Sequence, residues 1–338
     1  MSDIETLTGK LIEWGTRKVM VLADSNVAAL YPHYFESLSA SFECRTMEIP
    51  AGEDCKNMDQ LARIWEQMLA FGLGRSDVLI SFGGGSICDV GGFAAATFKR
   101  GVHAVNCPTT LLAMIDAAHG GKTAVNLHHV KNCVGVVRQP DYVMPANLDF
   151  LKTLPVAELK SGFGEMVKYA LIASPELFEQ LCGVETLTAE AIQPEWIQAC
   201  VRFKDEVVKK DPEDHKERHV LNFGHTFGHA IESCYLSAGQ CITHGEAVAI
   251  GMVYESRLSE ELTGLPHHQF IQIHNFILKH FNIPELSEDG LNRLLPFLKQ
   301  DKKNSQDRIN FTLLEGIGKP IIDNFVQKES LIKALSIC

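Results

Sequence analysis

The run Asn222-Phe-Gly-His225-Thr-Phe-Gly-His229-Ala-Ile-Glu232 carries two histidines four positions apart, and His244-Gly-Glu246 follows fifteen positions after His229. On a helix, an i,i+4 pair presents both side chains on one face. Imidazoles grouped with a carboxylate form the donor set of a divalent metal of the zinc type. Upstream, Glu165-Met-Val-Lys168 offers that carboxylate, and Gly164, Gly224 and Gly245 flank the candidate ligands closely enough to permit close approach of their elements. An i,i+4 His pair alone fits a surface or structural role equally well. The third histidine and the acids turn the reading toward a metalloenzyme. Spacing does not separate His225 from His229 as the ligand.

A second group of motifs points to phosphate. Phe82-Gly83-Gly84-Gly85-Ser86-Ile-Cys-Asp89 reads as a strand, a glycine turn and a helix start. Glycines let the backbone approach a pyrophosphate, and a helix N-terminus favours its charge. The GxGxxG spacing is absent, so a plain tight turn is the alternative. Asp24-Ser-Asn26 ends the first strand, a position from which a doubly wound sheet hydrogen-bonds a nucleotide ribose; an N-cap is the alternative there. Gly120-Gly-Lys122-Thr123 is not a phosphate loop of the NTPase kind, because the first glycine of GxxxxGK[ST] is missing. Lys122, Lys131, Lys168, Lys204 and Arg218 all lie in or beside Gly-, Asn- or Glu-containing motifs. Each alone fits a solvated surface charge; together they can build an anion pocket.

The elements that must position these groups change character along the chain. Lys18–Asp24, Arg45–Ile49 and Val78–Phe82 read as buried strands, and Leu61, Ile64, Trp65, Met68 and Leu69 follow helical spacing. Alternating strands and helices predict a doubly wound parallel sheet of Rossmann type. Beyond about residue 150 the strand signals fade, and Leu159–Glu179, Pro194–Lys210, Gly224–Tyr235 and Glu246–Leu262 read as helices. The expected organisation is an α/β domain over 1–150 and an all-α domain over 151–338.

Composition sets the outer limits. With 338 residues, 46% hydrophobic and 22% charged, the chain has material for two globular domains and is not disordered. A net charge of −11 without blocks of like charge argues against nucleic acid and against an anionic membrane surface, yet permits a local cationic pocket. Ten cysteines with no CxxC pair read as reduced thiols in a cytoplasmic protein. The acidic start reads as no signal peptide, and no apolar run reaches the ~18 residues of a membrane span.

Taken in order, the motifs resemble the 3-dehydroquinate synthase family of sugar-phosphate cyclases, from about residue 14 to residue 320. The runs that carry the resemblance are Pro50-Ala-Gly-Glu53-Asp-Cys-Lys56, Gly83–Asp89 through Lys99-Arg100-Gly101, Pro108-Thr109-Thr110-Leu-Leu-Ala, Gly120–Thr123, and Lys131-Asn132. They continue with Glu165–Lys168, Arg218–His225, His229, His244–Gly251 and Asp301-Lys-Lys303. The resemblance implies NAD in the first domain, a divalent metal (zinc or cobalt) in the second, substrate in the cleft between them, and a homodimer. It implies Glu165, His225 and His244 as metal ligands, with His229 near substrate. It implies NAD contacts from Asp24, Asn26, Glu53, Lys56, Gly84, Gly85, Asp89, Thr109, Thr110, Lys131 and Thr153. The implied substrate is a phosphorylated seven-carbon keto-acid sugar, 3-deoxy-D-arabino-heptulosonate 7-phosphate. Lys122, Asn132, Lys303 and Arg100 would hold its phosphate, Arg100 reaching a neighbouring subunit. Lys168, Lys204, Arg218 and Asn222 would hold its carboxylate and hydroxyls, and Asp116 would bond a hydroxyl or orient a lysine.

The chain also departs from the family pattern. Asp116-Ala117-Ala118-His119 stands where the family implies Asp-Ser-Ser, and Cys88 stands where Gly is common. A lost hydrogen bond of ~0.5–1.5 kcal/mol would weaken NAD about tenfold. Three rivals follow: another cyclase making an inosose or valiolone, an NAD- and metal-dependent polyol dehydrogenase of the glycerol dehydrogenase type, and a degenerate homologue that no longer cyclises.

Overall fold

Lys18–Asp24 is buried along nearly its whole length and forms an inner strand of the first half. The computed structural model describes residues 3–128, 130–283, 288–298, 308–328 and 330–331. The chain divides into two units, Met1–Leu154 and Pro155–Cys338.

The first unit runs α1 (Asp3–Glu13), β1 (Lys18–Asp24), α2 (Ser25–Leu30), α3 (Pro32–Ser39), β2 (Glu43–Ile49), α4 (Met58–Ala70), β3 (Val78–Gly83) and α5 (Gly85–Thr97). It continues with β4 (His103–Pro108), β5 (Lys122–Leu127), β6 (Val130–Val137) and β7 (Tyr142–Val143). Five strands make one sheet in the order β2-β1-β3-β4-β7, every pair parallel. Every residue of β3 is buried, as a strand covered on both faces requires. Met20, Leu22, Leu79, Leu61, Ile64 and Met68 fill the core between sheet and helices. The chain leaves β1 toward β2 on one side and returns to β3 on the other. That reversal opens a crevice at the carboxyl ends of β1 and β3, where open α/β sheets bind ligands. Asp24 and Gly83 are the residues that end those two strands.

The boundary lies at Leu154/Pro155 rather than 150. The 3₁₀ turn Leu148–Thr153 stays with the first unit because Phe150 packs edge-on against Tyr31 and Phe82.

The second unit carries α6 (Val156–Ala173), α7 (Pro175–Cys182), α8 (Pro194–Lys210), α9 (His225–Ser237), α10 (His244–Leu262), α11 (His267–His280) and α12 (Glu288–Leu298), then β8 (Arg308–Gly316) and β9 (Lys319–Gln327). Expected helix Leu159–Glu179 is two helices. Ser174, held extended ahead of Pro175, ends α6 and caps α7 by accepting the Leu177 N–H at 3.1 Å. The unit is helix-rich but not all-α. Ile309, Phe311, Leu313 and Leu314 are buried on β8, which pairs antiparallel with β9 in a hairpin. Every described cysteine is a free thiol. Among the described residues, no helix is long and apolar enough to cross a membrane.

Candidate functional site

Glu165 sits midway along α6 with no exposure, while His225 and His244 are the first residues of α9 and α10. Backbone contact brings α10 onto α6. A Cβ on Gly245 would lie 1.8 Å from the Ser161 carbonyl oxygen, so only glycine lets His244 come so near Glu165. His225 Nε2 lies 3.3 Å and His244 Nε2 3.2 Å from the same oxygen, Glu165 Oε1; Lys168 Nζ lies 2.5 Å from Oε2. Both Glu165 oxygens are buried without a well-aligned hydrogen bond. Ligand atoms of Glu165, His225 and His244 fall within 4.8 Å of one another. Two imidazoles and a carboxylate converging on one point fit a zinc-type ion with open coordination positions.

The electrostatics of the cluster are asymmetric. Burial would raise the Glu165 carboxyl, but Lys168, then His225 and His244, hold it well below the carboxylate range. Burial lowers His225 further than Glu165 restores it. Burial would lower His244 too, yet its bonds to Glu165 and Glu232 push it up to about 10. A divalent ion held by these residues would compete with the His244 proton, which would couple its binding to pH.

His229 is exposed and lies outside the Glu165 triad; with Glu232 and His244 it forms a second group of possible ligand atoms. Spacing did not separate the two histidines; in the fold His225, and not His229, lies beside Glu165.

Three cations are buried in the same unit: Lys168 in α6, Lys204 in α8, and Arg218 in the 3₁₀ turn Glu217–Asn222. Of the five basic residues singled out from sequence, Lys122 and Lys131 are the exposed ones. Asp211 shapes the approach to Arg218. Its carboxylate accepts the N–H groups of His215, Lys216 and Arg218 at 2.9, 2.7 and 3.1 Å, which holds it below its ordinary range. Arg218 Nη1 donates to the Pro212 carbonyl at 3.1 Å. Asn222 ends that turn. Lys303, with the Asp301-Lys-Lys303 run, lies outside the described residues.

In the first unit, Asp24 Oδ1 accepts the N–H groups of Asn26 and Val27 at 3.0 and 2.9 Å, so Asp24 is the N-cap of α2 as well as the tip of β1. Gly84 and Gly85 open α5. A Cβ on Gly84 would lie 3.0 Å from Thr110 Cγ2, and one on Gly85 2.9 Å from Ala117 Cβ. This tight, side-chain-free helix start, with no side-chain cap of its own, fits a pyrophosphate. Thr109 is buried and donates its N–H to the Gly83 carbonyl at 3.0 Å.

Lys56 is buried between Asp89 Oδ2 at 2.7 Å and Asn132 Oδ1 at 2.6 Å. Glu53 accepts from Ser86 and Asn126, both at 2.9 Å. Asn132, implied on substrate phosphate, therefore joins the Lys56 cluster. Thr153 Oγ1 lies 2.5 Å from the Tyr31 hydroxyl. Asp116 occupies the turn Ala113–Ala117 after Thr110, and Arg100 is exposed with φ of 65°.

Sequence reading missed Tyr31, Ser86, Asn126, Glu232 and Glu255. Glu232 could have been found, since it lies in the histidine run itself. So could Ser86, which lies in the glycine motif; the others have signals only in three dimensions.

A family profile described as 3-dehydroquinate synthase N-terminal matches residues 46–161, and one described as 3-dehydroquinate synthase C-terminal matches 162–304. The 3-dehydroquinate synthase of Parabacteroides distasonis is 37% identical over 320 residues, covering 94% of this chain and 90% of that protein. The structure of 2-deoxy-scyllo-inosose synthase with carbaglucose-6-phosphate, NAD+ and Co2+ superposes with a TM-score of 0.85 at 26% identity, covering 99% and 94% of the two chains. The 2-epi-5-epi-valiolone synthase of Streptomyces hygroscopicus, with NAD+ and Zn2+, does so at 0.83 and 28%, covering 95% and 90%.

Proposed function

The chain belongs to the 3-dehydroquinate synthase family, and from that premise we propose that it converts 3-deoxy-D-arabino-heptulosonate 7-phosphate to 3-dehydroquinate and phosphate. When bound, NAD+ takes and returns a hydride at substrate C5 and a divalent zinc or cobalt ion supplies Lewis acidity at the neighbouring oxygens. Glu165, His225 and His244 would hold the ion, and the glycine-opened α5 with the Lys56–Asp89–Glu53 cluster would hold NAD. Lys168, Lys204, Arg218 and Asn222 bind the substrate carboxylate and hydroxyls, with His229 beside them. Lys122, Arg100 and Lys303 bind the phosphate that leaves, and Asp116 orients the nearby lysine or a hydroxyl. The phosphate monoester can take the C6 proton itself, so the chain supplies cations rather than a strong base.

One observation carries this reading over an inosose or valiolone cyclase. Three cations, Lys168, Lys204 and Arg218, are buried in the unit that holds the His–Glu triad. Lys168 pairs with Glu165, and a planar guanidinium such as that of Arg218 suits a carboxylate, the group the rival substrates lack. A homodimer, with the exposed Arg100 turn reaching the partner, and a cytoplasmic setting that keeps the thiols free complete the proposal.

The test is incubation of purified protein with the heptulosonate phosphate, NAD+ and zinc or cobalt. Equimolar phosphate and dehydroquinate are expected. Stoichiometric NADH would favour the polyol dehydrogenase, and binding without turnover the degenerate homologue.

A further inference from the structure

Helix α9 starts at the metal-site residue His225 but has no capping side chain of its own. Its N-cap is Gly224, at a left-handed φ of 79°, where a Cβ would lie 2.5 Å from Met252 and 2.8 Å from the Val248 carbonyl oxygen. No side-chain cap can therefore stand there, yet the first amides of a helix lack intrahelical acceptors. Glu255 of α10 meets two of them. It is fully buried, and its Oε2 accepts the Gly224 N–H at 2.6 Å while Oε1 accepts the Phe227 N–H at 3.2 Å. Helix α10 thus presents His244 at its first residue and, about three turns further on, a carboxyl group seated at the start of the helix that presents His225.

Burying a carboxyl is costly unless its hydrogen bonds are made, and here both oxygens accept backbone amides at the start of α9. We infer that Glu255 is a positioning residue for the metal site: it clamps the first turn of α9 to α10 and so sets His225 against His244, whose ring centroids lie 5.2 Å apart. The inference rests on the metal reading above. Glu255 touches neither metal nor substrate; it acts through the backbone on either side of His225.

The experiment measures zinc dissociation constants by chelator competition, and the visible spectrum of the cobalt form, in wild type, Glu255→Gln and Glu255→Met. Met keeps the volume and removes both acceptors; Gln keeps one and sets its NH2 against the other amide. Zinc binding is expected to weaken about tenfold or more in Met, the scale of a lost outer-sphere support, and by less in Gln, with shifted cobalt bands. Leu258→Ala, which loosens the same helix at another buried position, is expected to leave the zinc constant unchanged. A folded Glu255→Met protein with wild-type zinc affinity overturns the inference. If Met does not fold, amide exchange in the wild type decides: Gly224 and Phe227 protected like mid-helix amides support the clamp, and free exchange overturns it. His225→Ala is the separate control. If it binds zinc as wild type does, the metal reading fails, whatever the Glu255 variants show.

Discussion

His244 Nδ1 lies 3.1 Å from Glu232 Oε2, on the ring edge away from the Nε2 that faces Glu165. A carboxylate on the outer nitrogen fixes the tautomer, leaves the inner lone pair for a metal and raises its basicity. Glu232→Gln keeps the shape and loses the charge. Its zinc affinity should fall about tenfold or more, while His244→Ala should lose stoichiometric metal. Chelator competition measures both, and wild-type affinity in Glu232→Gln would remove Glu232 from this role.

Turnover should be redox-neutral overall. NAD is expected to be required but not consumed, so phosphate accumulates with no net absorbance change at the NADH wavelength. A steady rise in NADH matching product would sink the cyclase reading.

The buried Lys56 ammonium meets half-buried Asp89 and exposed Asn132, with exposed Glu53 at 3.7 Å. Removing Lys56 leaves the Asp89 charge without its partner. Lys56→Met is expected to cost about 2–3 kcal/mol of stability in the first unit and to weaken NAD. Lys56→Met with Asp89→Asn should recover part of the stability but not the NAD affinity. Thermal melts and NAD titration separate these, and equal loss in single and double variants would rule out coupling.

How far the sequence carried depended on whether signals were local. Strand β1 and helix α8 were readable to the residue because apolar runs and an N1 proline are local signals. The three candidate metal ligands were visible as residue types, but preferring His225 to His229 took the family resemblance, and only the fold shows His225 beside Glu165 Oε1. The β8–β9 hairpin was missed, since buried β8 is a short apolar run that reads equally as helix. Glu255 was unreadable for another reason: it lies in a run that scores as ordinary helix, and its meaning depends on Gly224, 31 residues earlier.

Burial pushes the Glu255 carboxyl up to about 8, although the amides of Gly224, Phe227 and Thr226 pull it down. In the unfolded chain a Glu titrates near ~4.3. Between those values the folded state holds the proton and the unfolded state has released it. This contribution to stability is therefore fully present below the unfolded value and is lost as pH rises toward about 8. The slope is about 1.4 kcal/mol per pH unit for one proton. Denaturant midpoints from pH 5.5 to 8.5 should decline in wild type by one proton's slope more than in Glu255→Gln. Parallel curves would show that Glu255 ionises normally in the folded protein.

Arg218 is buried, its backbone N–H held by Asp211 and its Nη1 by the Pro212 carbonyl. The first holds the backbone and the second one corner of the guanidinium, and a planar fork suits a carboxylate. Arg218→Lys keeps the charge but loses both the anchor at Pro212 and the two-point grip. The expected loss is ~2–3 kcal/mol in kcat/KM on the heptulosonate phosphate, the scale of charge-assisted hydrogen bonds. Zinc and NAD affinities should hold, because Glu165, His225, His244 and the first-unit cluster are untouched. An unchanged kcat/KM would remove the carboxylate role from Arg218 and with it the main ground for choosing this substrate over those of the inosose and valiolone cyclases.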